Sequence, residues 1–330
     1  MIRRRHVFMS PGFSNCSAFH RASPKHAATS TSSPSPSPPS SPNTPHLLLR
    51  RPVHVAERII ALQFLLTRWG IESAFKRQPD DRIRRSYSVV QATMEETGVP
   101  AFLTSRETPL LVEKDLGSWN ADELYNVGKQ WESLGIILYT SRLIPSLPSP
   151  YPTTPFNHQT LFQSSSIVPA VPSTVLDFMA YFTTGAASQR SHFRHDEELK
   201  NAVDVTEAWV WRSQIENVLE LKRKCDGDAS GTYIRTLPAS LRRIMSESHV
   251  ALRHAAAAAH CKRLVPKVVD HDFGVDGTAY ACLDAAAKML LADIAAARLA
   301  ALVWLMDVRR DWDCDKVKYF NPLNSIFNAS

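Results

Sequence analysis

Apolar residues recur along this chain at intervals of three and four, and the longest such run lies near the carboxyl end. Leu283, Ala287, Leu290, Ile294, Ala297, Ala301 and Leu305 fall on one face of a helix over 283–305. Asp284, Lys288, Asp293 and Arg298 interrupt the run, which argues against a membrane span. Arg298 falls inside the apolar stripe. A guanidinium buried there needs a carboxylate partner, so the pattern predicts an ion pair within the core.

The same period recurs upstream. Ile59, Leu62, Phe64, Leu65, Leu66 and Trp69 predict a helix from Val53 to about Phe75, weakened or interrupted at Gly70. Asp80 is placed to cap a second helix that ends at Gly98. Asn120 and Glu123 form a capping-box pair, opening a helix through Leu124, Val127, Trp131, Leu134 and Leu138, in which Gly135 would permit a close helix approach. Five prolines from Pro145 to Pro155 start an irregular segment over 145–172, read as an insertion wrapped over the surface rather than a lid. Ser173 is expected to cap a helix through Phe182. A long helix over 196–224 carries Val203, Trp211, Ile215, Val218 and Leu219 on one side, with Glu207 inside that arc. A further helix covers 238–260, and Asp276 is expected to cap the last one. Period-two alternation is confined to Gly98–Thr104. The fold class is all-α: a disordered tail (1–50), then a single multi-helix domain made of a first helical part (51–144), the Pro-rich connection (145–172) and a second helical part (173–320).

Charge changes this picture at the amino end. Residues 1–56 hold seven basic side chains, among them Arg3, Arg4, Arg5, Arg50 and Arg51, and no acid. The rest of the chain then carries 31 basic against 32 acidic residues, so the basic character belongs to the tail and a nucleic-acid-binding body is not expected. An Arg-rich, Ser-rich, acid-free start has the composition of a mitochondrial transit peptide, with a cytoplasmic protein as the alternative. From Ser23 to Pro45 the chain is nearly all Ser, Thr and Pro, a composition that predicts disorder. The cysteines Cys16, Cys225, Cys261, Cys282 and Cys314 form no Cys-x-x-Cys, which fits free thiols in a reducing compartment.

Catalytic signatures are sparse. There is no glycine-rich phosphate loop and no G-x-S-x-G elbow. Arg82, Arg84 and Arg85 lie among acids and read as solvated surface rather than a phosphate patch. His192 and His195, and the Asp270-His271-Asp272 loop, have ligand-like spacing without a completing set, so neither a metal nor a cofactor is expected. Asp313 and Asp315 flank the core beside Trp312. The expected polar cluster is a buried Glu207–Arg298 pair, with Arg212 or Asp313 as further members.

Three patches resemble DUF4272, a helical family of unknown function known from bacteria and fungi. Trp131-Glu132-Ser133-Leu134-Gly135-Ile136-Ile137-Leu138 is similar to its Trp/Glu helix, although Tyr139 and Thr140 depart from that helix's usual ending. Glu207-Ala208-Trp209-Val210-Trp211-Arg212 is similar to its acid-and-Trp-Arg helix. The span from Asp272 through Arg298, Ala301 and Trp304 to Trp312-Asp313 resembles its last helix and closing Trp-Asp. The resemblance covers about 56–317 and implies an all-α fold. It implies Glu132, Glu207, Arg212, Arg298, Trp304, Trp312 and Asp313 as signature positions, and brings no activity. The expected function is a non-enzymatic module acting through an unidentified protein partner. The alternative is an enzyme or small-molecule binder built on Glu207, Arg212, Arg298 and Asp313 between helices, and a third reading uses the basic amino end at a membrane surface.

Overall fold

The computed structural model describes residues 47–184, 189–228 and 232–313. The tail readings up to residue 46, and Asp315, lie outside them. The described chain is all-α, with ten α-helices and one small three-stranded sheet.

Helix α1 (Pro52–Arg77) begins with Pro at its first turn, where a missing N–H is harmless. It runs unbroken through Gly70, so of the weakening or interruption expected there the interruption does not occur. Ile59, Ile60, Leu62, Phe64, Leu65 and Leu66 are all buried, and that packing outweighs the ~1 kcal/mol helix penalty of one glycine. Such all-round burial marks α1 as the centre of the amino-terminal half. Its polar residues are accommodated in place. Arg58 meets Glu107 at 2.5 Å, and Arg68 meets Glu72 at 2.6 Å. The Glu72 carboxylate also accepts from the Gly117 N–H at 2.9 Å.

Helix α2 (Asp81–Glu96) is capped by Asp80, whose side chain accepts from the Arg82 N–H at 2.8 Å. The segment after Gly98 is a 3-10 turn over Val99–Phe102 and not a strand; Pro100 lacks the N–H that a ladder needs. Both halves of the Asn120–Glu123 capping box form, at 2.8 and 2.9 Å. The single helix expected from that point is two, α3 (Ala121–Gly128) and α4 (Gln130–Thr140).

The Pro-rich segment differs from expectation in holding a helix, α5 (His158–Ser165), capped by Asn157. Just before it, buried Phe156 packs onto Gly135, where an added Cβ would lie 2.3 Å from the ring. Gly135 therefore admits a ring from the proline-rich strap rather than a neighbouring helix. Helix α6 (Pro172–Thr183) starts on Pro172; Ser173 is inside it and caps nothing.

Helices α7 (Asp196–Asp226), α8 (Thr232–Thr236) and α9 (Ala239–Cys261) follow. Strands β1 (Val268–Val269), β2 (Asp272–Val275) and β3 (Thr278–Ala279) then form an antiparallel meander, pairing Val268 with Phe273 and Gly274 with Ala279. Both of its turns are two residues long with positive φ throughout: Asp270 and His271 at 49° and 64°, then Asp276 and Gly277 at 48° and 84°. That geometry matches the strand twist and favours Asp and Gly. Asp276 is thus a hairpin residue. The cap of α10 (Ala285–Met306) is Asp284, which accepts from the Ala287 N–H at 2.7 Å.

Helix α10 packs on α4 along one side and α7 along another, so its buried surface is wider than one stripe. The expected stripe is out of phase near its start: Leu290 is 49% exposed while Leu291 is buried. This helix is long and apolar enough to cross a membrane by length and composition, and half of its apolar window is buried in the protein. One apolar cluster gathers around α1, α4 and α6. The other gathers α7, α9 and β2, and α10 contributes to both.

Candidate functional site

The seven signature residues do not assemble into one site. Arg298 is 2% exposed, as a stripe position requires, but its partner is Glu132 of α4 and not Glu207. Arg298 Nε donates to Glu132 Oε2 at 2.8 Å, and its Nη2 donates to the Thr154 carbonyl at 2.7 Å. The other carboxylate oxygen accepts from the Phe156 N–H at 2.9 Å, and the guanidinium lies 4.6 Å from the Phe156 ring centre. Burial pushes the Glu132 carboxyl up, against the pull of Arg298. Glu207 is half-buried on α7 and forms no ion pair among the described residues. Burial, and then neighbouring Asp204, push its carboxyl up. The Glu207–Arg298 expectation fails because α4, not α7, faces Arg298.

Arg212 anchors a second network. It grips Asp272 through Nε at 2.5 Å and Nη2 at 2.7 Å, and reaches Glu216 one turn along at 2.9 Å. Glu216 is also held by Lys288 at 2.8 Å and Arg223 at 2.7 Å. Asp272 accepts from the N–H groups of Phe273 and Ala281, fixing the hairpin against α7. The Tyr280 ring lies 4.2 Å from the Arg212 guanidinium, and burial lifts its hydroxyl to about 12. Asp272 and Glu216 were absent from the sequence expectation for Arg212. Glu216 has a readable signal in its four-residue spacing from Arg212. Asp272 becomes visible only if Asp276-Gly277 is read as a hairpin turn.

Trp304 and Trp312 meet edge to face at 5.2 Å, Arg50 lies over Trp304 and Arg58 over Trp312. Asp313 bonds to the segment 105–106. Its carboxylate accepts from the Arg106 N–H at 3.1 Å and the Ser105 hydroxyl at 3.2 Å.

Trp312 and Asp313 instead border a solvent-reaching cleft of about 740 Å³. Its floor is the small-residue face of α10 at Ala296, Ala297 and Ala300. Helices α3 and α4 supply Glu123, Asn126, Lys129 and Gln130, and the loop before them supplies Arg106 and Glu107. Four lining side chains are acidic (Glu107, Glu123, Asp293, Asp313) and two are basic. Asp293 accepts a hydrogen bond from Tyr125, which together with burial raises the phenol to about 12, and lies 3.7 Å from Lys129. Lys114 pairs with Glu123, holding its carboxyl below the usual range despite some burial. The Gln130 Oε1 atom is buried at the cleft wall with no hydrogen-bond partner. This arrangement can accept donors and cationic groups; it pairs no nucleophile with a base.

The spaced histidines have separate contacts. His192 stacks on Phe182 at 5.1 Å, and the His195 ring lies 3.4 Å from Arg142. In Asp270-His271-Asp272, the first two form the turn and the third holds Arg212. No group of three or more His, Cys, Asp or Glu side chains that could hold a metal occurs among the described residues.

No family model, no curated protein and no solved structure matches this chain.

Proposed function

We propose that the chain is a non-enzymatic helical module that acts through protein contacts, with the α10 cleft as the surface that takes an extended, basic segment of a partner. The observation that carries this reading is the cleft's chemistry. Four of its lining side chains are acids, three of them paired with Arg58, Lys114 or Lys129 and the fourth, Asp313, at its rim; its floor is alanine, and a buried amide oxygen at its wall lacks a donor. A peptide supplies backbone N–H donors and Lys or Arg side chains to such a surface. Buried ion pairs join α4 to α10 and α7 to the hairpin, which supports a structural role for Arg212 and Arg298.

The test is a photo-crosslinking amino acid at Asn126 inside the cleft, with the same group at exposed Leu176 as control. The cleft position is expected to give an adduct that the control does not, and Ala300→Trp, which fills the floor, should remove it. Identical adducts at both positions, or an adduct indifferent to Ala300→Trp, would overturn the reading.

We also propose delivery to mitochondria by residues 1–50, supported by their basic, acid-free composition. A fluorescent reporter fused behind residues 1–50 should enter mitochondria; a reporter left in the cytosol would favour the cytoplasmic alternative.

A further inference from the structure

A second cavity lies across the molecule's amino-terminal half, between α1, α2, α4 and α5, and shares no lining residue with the α10 cleft. It measures about 470 Å³. Its walls are rings. Trp131 and His158 stack face to face with centres 4.2 Å apart and planes 10° from parallel. Trp69 stands edge-on to both, and Phe162 edge-on to Trp131 at 5.0 Å. Aliphatic cover comes from Leu66, Ile71 and Ile83.

Two features distinguish this space from a packing defect. The first is a pair of unanswered polar atoms. Trp131 is only 3% exposed, yet its indole N–H has no partner, and the Thr67 hydroxyl of the same pocket is buried without one. An indole N–H can only donate, and a buried donor left unpaired is costly to keep. By contrast Trp69, on the same wall, gives its N–H to the Leu124 carbonyl at 2.8 Å. The second feature is room held open in the backbone. Gly70 lines the pocket, and a Cβ built on it would meet nothing within 4 Å. A larger residue would fill the space and favour the helix as well.

The lining contains no Asp, Glu, Lys or Arg. The His158 ring is stacked on Trp131, and desolvation lowers its pKa from the usual value. A cation would find no carboxylate, and the Trp131 face that could attract it is covered by His158.

We infer that this pocket binds a small, flat, uncharged molecule bearing a hydrogen-bond acceptor, of the aryl-carbonyl class, with its rings against Trp69 and Phe162 and its acceptor on the Trp131 N–H. The volume suits one or two rings. The Thr67 hydroxyl supplies a second donor, which favours a carbonyl oxygen, with its two lone pairs, over a ring nitrogen with one.

The experiment titrates the full chain with acetophenone, with ethylbenzene as the same shape lacking the acceptor, and with tetramethylammonium as a cation. Binding is followed on the indole N–H signals in proton–nitrogen correlation spectra, Trp131 being assigned by Trp131→Phe. Acetophenone should shift the Trp131 signal saturably and bind up to about tenfold more tightly than ethylbenzene, the contribution of one net hydrogen bond. Gly70→Leu should keep the fold and abolish binding, which keeps the test valid if Trp131→Phe fails to fold. Equal affinity for ethylbenzene would make this an apolar cavity without acceptor recognition and overturn the inference. So would preferential binding of tetramethylammonium, an unmoved Trp131 signal, or unchanged binding in Gly70→Leu. None of these outcomes bears on the Asn126 crosslink, so the two readings stand or fall separately.

Discussion

Glu132 and Arg298 are separated by 166 positions in the chain and meet at 2.8 Å in the core, where one guanidinium also holds the carbonyl of Thr154. Three segments are thereby fixed by one side chain: α4, α10 and the proline-rich strap. Arg298→Met alone leaves a buried carboxylate without its counter-charge, and should destabilise the protein by about 3–5 kcal/mol. Replacing both partners, as Arg298→Met with Glu132→Leu, should recover most of that loss. Chemical denaturation of the wild type and both variants measures it. The single variant should also depend on pH. Burial already raises the Glu132 pKa, and without Arg298 only the Phe156 N–H opposes that rise. The folded state then prefers the protonated acid, so its stability should fall as pH climbs above the ordinary carboxylate value of about 4.3.

Gly135→Ala tests the strap itself. The new methyl would lie 2.3 Å from the Phe156 ring, inside any real contact distance. Overpacking of this kind costs about 1–3 kcal/mol. The ring should be displaced and the strap released, so chymotrypsin should cut after Phe156 faster than in the wild type, with cleavage elsewhere unchanged.

Acid should weaken the α7–hairpin network. Burial alone would raise the Glu216 carboxyl, but hydrogen bonds from Lys288 and Arg212 outweigh it and hold the pKa below normal. A depressed folded pKa gives stability that is present above the unfolded value and lost as pH falls through the folded one. Glu216→Gln should therefore lower stability at pH 7 by about 1–3 kcal/mol, as expected for a hydrogen bond to a charged group. It should also flatten the decline below about pH 4. Melting temperatures of both proteins across that range decide it.

Glu207 predicts the opposite sign. Burial and Asp204 raise its pKa, so ionisation opposes folding as pH rises through the folded value. Glu207→Gln should be neutral or stabilising at pH 7, by up to about 0.5 kcal/mol. A large loss of stability would mean that Glu207 holds a partner, and circular-dichroism melts suffice to read it.

These residues also mark how far the sequence reaches. Arg298 is legible as buried because a helix has one period, and a charge inside an apolar stripe has nowhere else to point. Its partner is not legible, because Glu132 and Glu207 both sit on Trp-bearing helices and only the packing of α10 against α4 chooses between them. Local chemistry reads well: Asp80 and the Asn120–Glu123 box cap as their sequence predicts. The hairpin was readable through Asp276-Gly277, but its strands are two to four residues long, too short to display alternation. The α10 cleft contributes only Trp312 and Asp313 to the signature positions, since its walls come from segments that no single period links. Arg68 and Glu72 hide for another reason. They lie on a helix buried on all sides, where no polar face distinguishes a paired charge from a solvated one.

The two long helices carry a consequence for how the molecule comes apart. Helix α10 gives Leu302 and Leu305 to one apolar cluster and Leu291 and Leu299 to the other, while α7 gives Ala202 to the first and Trp209 to the second. Neither half can loosen without fraying a rod that the other half depends on. The halves are therefore coupled mechanically, and heat should dismantle them in a single transition with coincident midpoints for the Trp131 and Trp209 environments. A fragment cut between α6 and α7 would inherit half of a shared beam and no complete interior of its own.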